Sequence, residues 1–268
     1  MNNPPVVLLF GGIDPTGGAG LAADVLTVAS LGCHPAPVVT AATVQDTGNI
    51  KQFTMLATES VIAQARAVLE DVPVAAFKTG MIGTSAMVAT IASVLDDYPK
   101  VPLVLDPVQF SNRGDALAEE SLVDSLRALL VPRATLLTPN SLEARMLAPE
   151  ADSLEACAQE LMSLGADYVL ITGTHEPGPM ITHSLYGRLR LLETFQCHRL
   201  PNDYHGSGCT LASACAAALA HGLDPTAAVG KALRFTYQAL KHGFRPGLGQ
   251  VLPNRLFWAT QDGSIEKH

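Results

Sequence analysis

Residues 205–210 read HGSGCT and open an alanine-rich run that continues to Gly222. Glycine adopts backbone angles that other residues resist, so Gly206 and Gly208 let successive amides point the same way where a helix begins. Amides converging at a helix N-terminus hold an anion, and the helix dipole adds favourable potential. The charge that develops on a transferring phosphoryl group suits such a site. Cys209 sits in the same field, which favours its thiolate and makes the thiol a candidate base. The same cysteine also reads as a small packed residue of an alanine-rich helix, and the segment alone leaves both readings open.

Other residues could serve the same chemistry. The stretch GGIDPTGGAG at 11–20 follows an apolar run and enters a helical pattern, so its backbone can approach a ligand closely. It spells neither the GxGxxG fingerprint nor a P-loop, since no GK[ST] follows. In TPNSLEARML, Asn140 and Glu143 are three apart. Pro139 disfavours helix before it, so Asn140 can cap the helix that follows with Glu143 as capping-box partner. A carboxylate at that place can equally hold Mg²⁺, directly or through water. Asp106 closes the apolar run LVLDP and needs a partner or a cation. His175 and His205 are candidate ligands, but the eight histidines show no HExxH or similar spacing, which argues against zinc.

The elements that must position these residues alternate along the chain. Short apolar runs lie at 6–10, 36–44, 74–80, 101–107, 134–140 and 167–173, and the last four end in Gly, Pro or Asn. Runs of this kind fit strands buried on both faces. Helical patterns fall near 20–31, 58–71, 84–97, 118–130, 152–164, 208–221 and 225–242. This order predicts an α/β protein with a mostly parallel sheet between helices. Residues 180–198 alternate more and centre on YGR, which predicts an antiparallel hairpin at a sheet edge. With no repeat or linker, the chain reads as one domain spanning 1–268. In such sheets ligands bind beyond the carboxyl ends of the strands. Gly11, Gly12, Gln45, Asp46, Lys78 to Met81, Asp106, Asn140 and Thr172 to His175 all collect there, so one crevice is expected to receive them.

Composition narrows the partners. The net charge of −8, with no long basic cluster, argues against nucleic acid and anionic membrane. No window approaches about 18 uninterrupted apolar residues. The opening MNNPPVVLLFGG lacks the basic region of a signal peptide. Five cysteines without a CxxC read as reduced thiols, and the expected compartment is the cytoplasm.

Seven segments occur in order: GGIDPTGGAGLAAD, VQDT, KTGMIG, LDPV, LTPNSLEA, GTH and HGSGCT. Together they resemble the hydroxymethylpyrimidine/phosphomethylpyrimidine kinases of thiamine biosynthesis, within the ribokinase-like superfamily, over about residues 6–245. The resemblance implies a three-layer α/β/α fold and an ATP- and Mg²⁺-dependent homodimeric kinase. Such an enzyme phosphorylates 4-amino-5-hydroxymethyl-2-methylpyrimidine and then its monophosphate. By resemblance, Gly12, Asp24 and Val108 line the pyrimidine pocket, Gln45 reads the aminopyrimidine edge, and Met81 packs on the ring. An amide suits that edge because it both donates and accepts. Asp106 and Glu143 would organise Mg²⁺ and the nucleotide phosphates. Asn140, Thr172, Gly173 and Arg113 would bind the nucleotide. Gly206, Gly208 and the Cys209 amide would form the anion hole, with the Cys209 thiol as base.

Some positions depart from the family pattern. Asn112, followed by Arg113, stands where a lysine is common, and Arg113 could replace it, although guanidinium and ammonium are not interchangeable. Thr172, Gly173, Thr174 and His175 replace a lysine-containing segment. LPNDY before the anion hole lacks the usual Lys and Thr. Two rival readings follow: a pyridoxal kinase on the same scaffold, and a pyrimidine-binding sensor without turnover.

Overall fold

A computed structural model describes residues 3–108 and 120–260. β1 (Val6–Ile13) runs into the glycine-rich turn and α1 (Gly20–Ser30). β2 (His34–Gln45) pairs parallel with β1, and β3 (Ile50–Met55) folds back antiparallel on the far half of β2. Then follow α2 (Thr58–Asp71), β4 (Val74–Thr79), α3 (Ser85–Asp96), β5 (Leu103–Leu105) and α4 (Glu120–Ser125). β6 (Leu136–Leu137), α5 (Ser141–Leu147), α6 (Leu154–Ser163) and β7 (Tyr168–Thr172) complete the parallel region. β8 (Met180–Gly187) and β9 (Arg190–His198) form the edge hairpin, and α7 (Ser207–Ala220) and α8 (Pro225–Lys241) close the order.

One sheet of nine strands results, in the order β3-β2-β1-β4-β5-β6-β7-β8-β9. It is parallel from β2 to β7 and antiparallel at both edges. The apolar runs are continuous because successive side chains serve two different cores. Leu8, Phe10, Leu105 and Leu137 pack with α2 to α6 on one face. Val7, Leu9, Val104, Leu136 and Leu170 pack with α1, α7 and α8 on the other. This is the expected three-layer α/β/α arrangement.

The alanine content of α7 follows from its place. It lies against the sheet between α1 and α8, and every residue from Thr210 to Leu219 is buried. Small side chains let three neighbours approach one helix. α8 starts at Pro225, whose missing N–H costs nothing in the first turn, and Asp224 accepts from the amides of Thr226 and Ala227.

The structure departs from the sequence reading in three places. β3 was not expected: IKQFTM is mostly exposed and exists by pairing with the overhanging end of β2. The hairpin turns at Arg188 and Leu189, with φ of 54° and 60°, while Gly187 remains in the strand. The helix expected over 118–130 is α-helical only at Glu120–Ser125 among the described residues and continues as a wider coil over Leu126–Leu130.

Candidate active site

The carboxyl ends of β1, β2, β4, β5, β6 and β7 meet the mouth of α7 around one cleft of about 1860 Å³. Single small-molecule pockets are about 300–1,000 Å³, so this cleft has room for two ligands side by side. Gly11, Gly12, Gln45, Lys78, Gly80, Met81, Asp106, Asn140, Thr172, Thr174 and His175 line it, as the position of the strand ends predicts. Asp46, Thr79 and Gly173 do not.

One end suits a small flat ring. A Cβ on Gly12 would come within 3.3 Å of Met81 Sδ, so glycine there lets the Met81 side chain lie flat against β1. Gln45 Nε2 donates to Thr43 Oγ1 at 2.8 Å, and Thr43 Oγ1 donates to the Ile13 carbonyl at 2.9 Å. This relay holds the amide in place, and Gln45 and Val108 both line the cleft.

The other end suits an anion. Gly206 caps α7 with φ +85°, and a Cβ there would collide with the Gly18 carbonyl. No side chain caps the first turn of α7, so the amides of Ser207, Gly208 and Cys209 are left for a ligand. Nothing in the described chain lies near a Cβ built on Gly208; glycine there widens the cleft rather than relieving a clash. Asp14 ties the two glycine-rich turns together. Its carboxylate accepts from the Thr16 and Ala19 amides and is 2.9 Å from His205 Nε2. Burial opposes its charge, but the His205 contact and these amides outweigh it and hold its pKa below the ordinary value.

Between the two ends lies a buried charge cluster. Lys78 is fully buried and donates to both oxygens of Asp24 at 2.9 and 3.0 Å, and its Nζ is 3.7 Å from Asp106 Oδ2. Gly80 leaves room for the ammonium, since a Cβ there would meet it at 2.8 Å. Ser213 Oγ donates to Asp24 at 2.7 Å. Burial would push Lys78 down, but the Asp24 charge and its hydrogen bonds, together with the charge of Asp106 and the nearby Cys209, outweigh it and the ammonium stays protonated. Burial pushes the Asp106 carboxyl up to about 6 despite Lys78. Asp106 Oδ2 has no hydrogen-bond partner among the described residues.

Three expectations are corrected or narrowed. The helix mouth does not make Cys209 a ready thiolate: burial pushes its thiol up to about 12, with Lys78 opposing and Asp106 and Asp24 adding to the rise. Asp24 is spent on Lys78 and Ser213, so it faces the pocket as one half of an ion pair. Gly173 is glycine because a Cβ would strike the Thr182 carbonyl of β8, and it faces a smaller hollow on the other side. Glu143 does form the capping box, accepting from the Asn140 amide at 2.9 Å while Asn140 Oδ1 accepts from the amides of Leu142 and Glu143. Among the described residues no group of three His, Cys, Asp or Glu side chains is placed to hold a metal ion. Asn112 and Arg113 lie outside the described residues.

The sequence reading assigned no role to Lys78, although a charge inside an apolar strand signals a buried partner as plainly as Asp106 does. Arg255 was also missed, and no local pattern marks it. Its guanidinium is buried behind both glycine-rich turns.

Comparison with known proteins identifies the lineage. The family model described as phosphomethylpyrimidine kinase matches residues 14–254. The hydroxymethylpyrimidine/phosphomethylpyrimidine kinase of Mycobacterium tuberculosis is 42% identical over 261 residues, covering 95% of this chain and 94% of that one. A Staphylococcus aureus pyridoxal kinase solved with AMP-PCP superposes with a TM-score of 0.88 at 26% identity, over 97% of this chain and 96% of that one. A phosphomethylpyrimidine kinase from Clostridium difficile 630 gives a TM-score of 0.76 at 30% identity, over 88% and 99%. Matches of such length and identity place this chain in the phosphomethylpyrimidine kinase family of phosphotransferases.

Proposed function

We propose that the protein transfers the γ-phosphoryl group of ATP to the hydroxymethyl oxygen of 4-amino-5-hydroxymethyl-2-methylpyrimidine, and then a second one to the monophosphate. The observation that carries this is the distribution of polarity in one cleft: Gln45 and Met81 at the ring end, and the uncapped amides of α7 at the other. Gly12, Asp24 and Val108 complete the ring pocket. Asn140 and Thr172 face the nucleotide, with Gly173 setting the course of the loop behind Thr172.

Phosphoryl transfer passes through a loose transition state, so catalysis rests on positioning and charge stabilisation. The amides of Ser207, Gly208 and Cys209 receive the equatorial oxygens of the transferring group. Cys209, in its thiolate form, takes the substrate hydroxyl proton on Sγ as the new O–P bond forms and the bond from the γ-phosphorus to the bridging oxygen breaks, which releases ADP. Mg²⁺ fits the residues present: it keeps several waters and needs only one or two carboxylates beside the phosphates. Asp106, whose buried Oδ2 makes no hydrogen bond among the described residues, would hold it, and Glu143 would do so through water while keeping its cap. Bound there, the ion would neutralise phosphate charge.

Two chains would pair as a homodimer, for which the exposed Val44 and Phe53 on the β2–β3 ribbon offer apolar surface. Five free cysteines suit the reducing cytoplasm. A pyridoxal kinase is the second reading, favoured by the closeness of fold to the Staphylococcus aureus enzyme.

Gln45→Ala tests the pocket. It removes a donor–acceptor pair from a polar ring edge, so pyrimidine binding should weaken by about 1–3 kcal/mol while ATP binding holds. Calorimetric titration of each ligand reads both, and unchanged pyrimidine affinity would place the ring elsewhere.

A further inference from the structure

Arg255 lies far along the chain from the motifs of the site, yet its guanidinium reaches the carbonyls of both glycine-rich turns from behind. Its main chain is fixed by Ser30 of α1, whose hydroxyl donates to the Arg255 carbonyl at 2.7 Å. The preceding Asn254 amide donates to the Ala239 carbonyl of α8 at 2.9 Å. From this anchor the guanidinium enters the interior, and the residue is only 3% exposed. Nη2 donates to the Gly18 carbonyl at 2.6 Å and to the Gly206 carbonyl at 3.5 Å. Nη1 donates to Gly17 at 3.3 Å, and Nε to Thr210 Oγ1 at 3.1 Å. Thr210 in turn donates to the Gly206 carbonyl through Oγ1, at 2.7 Å.

Two consequences follow from elementary geometry and electrostatics. In a trans peptide the C=O and the next N–H point in opposite directions. The Gly206 carbonyl accepts the first intrahelical bond of α7 from the Thr210 amide at 3.0 Å, so the Ser207 N–H points the other way, out of the helix end, and Thr210 Oγ1 and Arg255 hold the same carbonyl oxygen from behind. The second consequence concerns charge. All four acceptors of Arg255 are neutral, and no carboxylate among the described residues stands at ion-pair distance from it. A buried cation without a paired anion is costly. Burial lowers its pKa to about 10, which still leaves it charged at neutral pH. An anion in front of the α7 amides would be its counter-charge, felt through one layer of peptide in a low-dielectric interior.

We propose that Arg255 is a positioning residue for phosphoryl transfer, which locks the two glycine-rich turns together and places a fixed positive charge behind the phosphate. This rests on the α7 turn being the phosphate site of the proposed kinase. It also gives the chain a cationic contribution to phosphate binding that the departures at Asn112 and at Thr172 to His175 would otherwise leave thin.

The test compares Arg255→Met, which keeps bulk without charge, with Arg255→Lys, which keeps the charge and loses the fork. ADP and inorganic phosphate serve as binding probes in calorimetry, alongside kcat, KM for ATP and for the pyrimidine, and Tm. Arg255→Met should weaken ADP and phosphate binding by about tenfold or more and lower kcat, with the pyrimidine KM within about twofold. Arg255→Lys should recover most of the anion affinity although its Tm is also lowered. Anion affinity in Arg255→Met equal to the parent's, or an equal loss in the Lys and Met variants, would overturn the proposal and leave Arg255 a packing residue. Should Arg255→Met not fold, Arg255→Gln against Arg255→Lys decides on the same readouts. Loss of phosphate binding in the variant, from a parent that binds phosphate but phosphorylates no pyrimidine, would remove the pyrimidine substrate from the proposed function and keep the role of Arg255 behind the phosphate.

Discussion

The thiol of Cys209 stands between opposed fields. The α7 N-terminus and Lys78 favour its anion, while burial and the carboxylates of Asp106 and Asp24 oppose it more strongly, and the thiol rises to about 12. The residue's place in the sequence shows the first field and conceals the second, because Asp24 and Asp106 reach it only through the fold. The consequence is measurable. Below its pKa the thiolate fraction grows about tenfold per pH unit, so turnover limited by that base should climb with pH through the neutral range. Cys209→Ala retains the amides of the turn and removes only the proton acceptor. Turnover should fall by about 10²–10⁴ and lose its pH slope, while ATP and pyrimidine affinities stay near the parent's. A variant with parental turnover and a lower Tm would leave Cys209 as packing and the amides as the whole contribution of the turn. Asp106 was legible because a carboxylate closing an apolar strand demands explanation. Lys78 gives the same signal one strand away, and only their shared burial shows that they answer each other.

At the scale of elements, the strands and helices that form the two cores were legible, since buried strands are continuously apolar and the helices carry clear starts and stops. α2 occupies Thr58–Asp71, the span its pattern predicts. β3 was illegible for the opposite reason: its pattern is polar and exposed, and its partner strand alone defines it. Residues 244–252 were equally silent, yet Phe244 and Leu252 pair and the Gln250 amide donates to the Thr47 carbonyl, closing a strap over the β2–β3 turn. α5 shows an element in two roles, because Asn140 and Glu143 start the helix and line the cleft together. Glu143→Gln separates the roles. Glutamine still serves a capping box, so Tm should hold within about 1 kcal/mol of stability. The Mg²⁺ concentration needed for half-maximal turnover should rise, because a negative charge has been withdrawn from the cation's surroundings. An unchanged Mg²⁺ requirement would reduce Glu143 to its cap.

The whole molecule explains why distant segments converge. A parallel sheet sends every strand's carboxyl end to the same side, and the return of the chain through α7 and the C-terminal strap closes that side into a cleft large enough for two ligands. Sequence order sufficed to predict the crevice and the strand ends that line it, because topology fixes which ends face it. It could not predict the tie made by Arg255 or the bond between Asp14 and His205, which join residues 191 or more positions apart. The account's central claim is that this cleft phosphorylates a hydroxymethylpyrimidine. The most direct measurement follows ATP consumption and product formation with 4-amino-5-hydroxymethyl-2-methylpyrimidine, its monophosphate and pyridoxal, side by side and with Mg²⁺ present. The account predicts turnover of both pyrimidines with higher kcat/KM than for pyridoxal; preferential turnover of pyridoxal, or no phosphorylation of either pyrimidine, would contradict it.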